Sequence, residues 1–144
     1  MIDIKFQVVL YGTYGDILPK PDNIKYFIDS FSDKELIPTT WQEIGPNGAV
    51  NRFSLTNSDE SWLIEFGSNR IDIFHTNKDV GKTEFLNLED FVNEAESIAE
   101  IIQGKFPKKH NRLALVTRLL LDEMTQEAHD EVYRKLNSSI PIYN

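Results

Sequence analysis

The chain has no cysteine, no apolar run long enough to cross a bilayer and no excess of positive charge, and each absence removes a class of function. Without thiols there is no cysteine nucleophile, no thiolate zinc site and no disulfide framework, and nothing in the composition demands an oxidising compartment. A membrane-spanning helix needs about 20 consecutive apolar residues. The opening MIDIKFQVVLYG is too acidic and too short in its apolar run for a secretory signal, so a cytoplasmic protein that does not engage membranes is expected. Lys and Arg number 15 against 23 Asp and Glu, a net charge of −8. That balance repels a phosphate backbone and favours basic partners, and nucleic acid is not expected as a ligand.

What is present suits one α+β domain of 144 residues, a length that buries roughly 68 to 70% of its unfolded surface without a metal or disulfide. Ile2, Ile4, Phe6, Val8 and Leu10 alternate as a strand, ended by the turn formers Gly12 to Asp16. After Pro19 and Pro21, Asp22 or Asn23 can cap a helix in which Ile24, Phe27, Ile28 and Phe31 share a face. Four short strands follow: Leu36 to Ile44, Ala49 to Leu55, Trp62 to Phe66 and Ile71 to His75. Their turn-rich links predict an antiparallel meander.

A second helix starts at the N-cap Asn87, carries the stripe Leu88, Phe91, Ala95, Ile98, Ala99 and Ile102, and is expected to stop at Gly104. In the stretch that follows, Leu113, Leu115, Leu119 and Leu121 would lie on one side of a strand and Ala114, Val116 and Leu120 on the other. Apolar residues on both sides predict a central strand covered twice. Thr125 can cap a third helix with Ala128, Val132 and Leu136 facing in; one long helix over 112–136 is the rival. The expected fold is a mainly antiparallel sheet of about six strands with two or three packed helices, in the order β-α-β-β-β-β-α-β-α.

The strand RLALVTRLLLDEM, the helix ending YRKLN and the closing SSIPIY give an order of elements that resembles the N-terminal part of a sporadically distributed family of uncharacterised bacterial proteins. Members of that family run considerably longer. The resemblance implies that the chain is the N-terminal part of a longer protein or a short relative, in a context of phage defence or mobile elements, and it supplies no catalytic residues.

No catalytic signature stands out. Val80-Gly81-Lys82-Thr83 ends like a phosphate-binding loop, but the glycine required five places earlier is replaced by Thr76. The three histidines, His75, His110 and His129, lack the spacing that brings two ligands together, so neither metal nor cofactor is expected. His75 falls where the fifth strand meets the sheet rim, within reach of Asp72 or Glu65. Asp72, His75 and Lys82, with the Asn77–Thr83 loop, form the candidate site of an alternative reading, a small hydrolase or nucleotide-binding enzyme.

The leading expectation is a non-enzymatic protein-interaction module: a bacterial or phage defence-system subunit, an antitoxin-like inhibitor or an immunity protein. Glu94, Glu96 and Glu100 on the second helix offer a docking face to a basic protein partner. Lys108 and Lys109 sit in a local basic loop, and Trp41 is a large aromatic in polar company, the composition of an interface anchor. A homo-oligomer is the other partnership expected.

Overall fold

A computed structural model describes residues 2–78, 85–108, 111–120 and 125–139. The elements run β1 (Ile2–Tyr11), α1 (Pro21–Ser30), a 3₁₀ turn (Ser32–Lys34), β2 (Ile37–Gly45), β3 (Gly48–Thr56), β4 (Trp62–Phe66), β5 (Arg70–Thr76), α2 (Leu88–Lys105), β6 (Arg112–Leu120) and α3 (Gln126–Ser139). The α+β class and the element order are those expected. All six strands join in one antiparallel sheet, ordered β2-β3-β4-β5-β1-β6.

Alternation decides which side chains meet the helices. Phe6, Val8 and Leu10 of β1, Phe53 and Leu55 of β3, Trp62, Ile64 and Phe66 of β4, and Ile71 and Ile73 of β5 form one face. Phe27 and Phe31 of α1 and Phe91, Ala95, Ile98 and Ile102 of α2 close over it. Phe27 lies at the centre, its ring 4.9 Å from Phe66, 6.0 Å from Phe31, 6.2 Å from Phe53 and 6.1 Å from Phe106. The β2–β3 hairpin turns through Pro46 and Asn47, and Gly48 takes φ +107°, a conformation closed to most side chains.

Local details depart from expectation in ways that have physical causes. Helix α1 begins at Pro21 with no side-chain cap; Asn23 lies inside the first turn, where its amide donates to the Leu18 carbonyl at 2.9 Å. The fixed φ of proline and the absence of its N–H suit it to start a helix uncapped. Asn87 does cap α2, accepting from the Asp90 N–H at 2.8 Å, and Thr125 accepts from the Ala128 N–H at 3.2 Å. Gly104 does not stop α2, which runs to Lys105. A Cβ at Gly104 would come 3.0 Å from the Tyr26 hydroxyl, which donates to the Ile101 carbonyl at 2.8 Å, so glycine there lets α1 approach α2.

The largest correction concerns β6. It is an edge strand, bonded to β1 alone, and neither a twice-covered central strand nor part of one long helix. Leu113 is 65% exposed, Leu115 47%, Val116 42% and Leu119 44%. Leu115, opposite Val8, points to the helix side and is wet because α1 and α2 do not extend over it; Val116, opposite Gln7, points to the face that these helices do not cover. Helix α3 makes no extended contact with another described element; Ala128 and Val132 of its expected stripe are half-buried, and the Leu136 side chain lies outside the described residues.

This placement separates two leucine-sized truncations by energy. Phe27→Ala should cost about 3–5 kcal/mol of stability, because it opens a cavity among four phenylalanine rings. Leu113→Ala should change it by about 0.5 kcal/mol or less. Urea unfolding of the two variants checks the pair.

Candidate binding surfaces

Of the residues that suggested an enzyme, the two that are described, Asp72 and His75, do not converge. His75 and Asp72 are three apart on β5 and therefore point to opposite faces of the sheet. The imidazole is buried on the helix side inside an aromatic cage, 4.2 Å from the Trp62 ring and stacked on Phe85 at 4.8 Å with Phe91 beyond. Its Nδ1 lies 3.1 Å from the Ser61 carbonyl, which can only accept, so Nδ1 carries the proton. Burial lowers its pKa below the usual histidine value; the Ser61 bond opposes that shift. It is a buried group one residue from the end of β5, facing the core. Lys82 and most of the Asn77–Thr83 loop lie outside the described residues, but Asn77 is tied to β1, its N–H bonded to the Ile4 carbonyl at 2.7 Å. Among the described residues no cluster of three or more acidic or histidine side chains could hold a metal ion.

The acidic face of α2 divides. Glu94 turns inward to Lys34 at 2.9 Å, and that ammonium also meets Asp33 at 3.0 Å while lying 5.2 Å from the Trp62 ring. Burial works against the Lys34 charge, yet the hydrogen bonds to Glu94 and Asp33 hold its pKa above the ordinary lysine value. Glu96 and Glu100 remain exposed. In the basic loop, Lys108 is paired with Asp16 at 2.8 Å, and the amide of Gln103 clasps its backbone at both ends. Lys109 lies outside the described residues.

Trp41 belongs to a surface that sequence reasoning missed. On the sheet face away from α1 and α2 lies an open cleft of about 640 Å³, lined by Lys5, Thr39, Trp41, Ser54, Thr56, Glu60, Leu63, Glu65, Phe74, Thr76 and Lys78. The indole N–H of Trp41 is buried and has no hydrogen-bond partner among the described residues. Strand register brings Glu65 between Ser54 and Asp72. Burial raises the Glu65 pKa, and the Asp72 charge raises it further. Asp72 is held by Arg70 at 2.8 Å and by the Gln7 amide at 2.8 Å. The same face is basic toward β6: Lys5 lies 4.3 Å above Phe74, and Tyr11 is flanked by Arg112 at 4.1 Å and Arg70 at 5.8 Å. Only the register between strands assembles these residues, and alternation within one strand carries no record of it.

A second surface adjoins β6 on the helix side. A groove of about 510 Å³ runs between α2 and the sheet, with walls of Val8, Leu10, Val92, Ala95, Ala99 and Leu113 and with Glu96 in its lining. Comparison with family models, with characterised proteins and with solved structures finds no match. No described helix is long and apolar enough to cross a membrane.

Two titrations follow from these environments. The His75 contribution is full above about pH 6.5. It falls as the pH drops from there to the lowered native value, because the unfolded chain takes up the proton first. His75→Phe, which keeps the stacking, should flatten the loss of stability between about pH 7 and 5 in urea titrations. Glu65 has the opposite sign. With its native pKa raised, stability declines as the pH climbs from about 4.5 through that raised value. Glu65→Gln should therefore be more stable than the native chain at pH 7 and no more stable at pH 4, by the same measurement.

Proposed function

We propose that this chain is a non-enzymatic protein-interaction module that binds through β6 and the apolar surface on its two sides. One observation carries the reading: a nine-residue edge strand, RLALVTRLL, has one backbone edge unpaired among the described residues and exposes leucine or valine on both faces. An unpaired edge is a template for another strand. Natural edges are blunted by proline, lysine or a bulge, and the two edges of this sheet contrast: β2 contains Pro38, whereas β6 contains neither proline nor lysine. The sole register shift in the β1–β6 ladder falls between Asp3 and Lys5, on the β1 side.

Strand addition at such an edge draws affinity from main-chain hydrogen bonds and specificity from alternate side chains. Covering each half-exposed leucine or valine adds on the order of 1 kcal/mol. Glu96 and Glu100, beside the groove, favour a partner with a basic rim. A cytoplasmic defence-system subunit, antitoxin-like inhibitor or immunity protein acts by occupying another protein's surface, and the resemblance in element order supports that setting.

Replacing Leu115 and Leu119 together by Lys should leave the melting temperature within a few degrees, since both side chains are already wet. It should abolish recovery of the protein partner that co-purifies with the native chain from its host. A partner retained equally by the variant would overturn the reading.

A further inference from the structure

Resting on the interaction reading, we infer that the occupant of the β6 edge is a second copy of this chain, which pairs its own β6 in antiparallel register and lays its α3 into the groove beside α2. Self-complementarity is the first support. A two-fold axis through Val116 is the one self-pairing that engages all nine residues from Arg112 to Leu120. It sets Leu113 against Leu119 of the other copy, Leu115 against Thr117, Ala114 against Arg118 and Val116 against Val116. Neither Arg112 nor Arg118 then faces a like charge, which directly opposed would be destabilising. Residues of equal parity pair, so the axis stands perpendicular to the sheet and both helix layers lie on the same side.

The second support is where the helices leave. In its own copy, β6 ends at Leu120 beside Ile2, and Leu113, which lines the groove, lies beside Leu10 near the other end. Seven residues of strand separate Leu113 from that exit, roughly 23 Å. In the paired copy the order reverses: position 120 of the second chain lies beside Arg112, so the second chain's strand ends next to Leu113 and the groove. Helix α3 makes no extended contact with another described element, and its Ala128 and Val132 are four apart on one face. Fourteen residues of helix are about 21 Å long.

The absence of cysteine allows a register-specific test. In the proposed pairing the two Val116 Cα atoms lie about 4.5 to 5.5 Å apart, within the disulfide range, whereas the two Leu113 positions are offset by six residues, roughly 20 Å. The purified chain should sediment as a dimer, Val116→Lys should sediment as a monomer that still unfolds in one cooperative transition, at a melting temperature lowered by the loss of the partner, and Val116→Cys should form a covalent dimer on mild oxidation. Leu113→Cys alone should not cross-link; Leu113→Cys with Leu119→Cys should. A native chain that stays monomeric while Leu115 and Leu119 are still needed to capture a host partner would overturn the second copy and leave the interaction reading standing. A monomer whose partner capture ignores β6 would overturn both. Dimers that survive Val116→Lys, or that cross-link through Leu113→Cys alone, would overturn this register.

Discussion

Two helices, each about 10 Å across, roof about 20 Å of sheet, and six strands spaced about 4.8 Å apart span some 24 Å between the outermost axes before their side chains are counted. That mismatch of width governs much of the molecule. Helices α1 and α2 close over the middle of the sheet, where Phe27 and Phe91 meet rings from β1, β3 and β4. What lies outside the roof is wet at both margins: Ile44 near the tip of the β2–β3 hairpin is 77% exposed, and β6 is bare at the other side. The two margins are nevertheless unlike, because β2 carries Pro38 and turns Trp41 to the open face, whereas β6 has neither proline nor lysine and exposes Leu113, Leu115 and Leu119 on one side and Val116 on the other.

Charge is sorted by the same layering. The helix layer is acidic, and the few cations that enter it are committed, as Lys34 is to Glu94 and Asp33. On the open sheet face the cations Lys5, Arg70 and Arg112 lie against aromatic rings. A net charge of −8 therefore describes the whole chain and neither surface: a partner approaching the helices meets carboxylates, while one approaching the sheet near β1 meets ammonium and guanidinium groups.

Much of the fold was legible because its signals are local. Alternation in β1, the helical stripe of α2 and the Asn87 cap each involve residues within a few positions of one another, and the structure keeps them. The failures share a cause that is not local. Leu115 and Val116 announce a strand that could be covered twice, but whether a cover exists depends on how many helices the chain supplies and how wide they are. His75 does lie near the end of its strand, where the alternation puts it, but its burial was not legible, because Trp62, Phe85 and Phe91 converge on it from three other segments. The open cleft was invisible for the same reason, since Trp41, Glu65, Phe74 and Lys5 come from four strands and become neighbours only when the register is set.

The two tryptophans end up in unlike solvents, and the chain is therefore optically labelled at two levels. Trp62 is in contact with a titratable imidazole and has an ammonium 5.2 Å from its ring, so its emission reports the state of the core. Trp41 lines the open cleft, its indole N–H buried and without a hydrogen-bond partner among the described residues, so its emission reports what arrives there. Ligand entry on the sheet face and loosening of the helix layer can be told apart in one spectrum, without a dye.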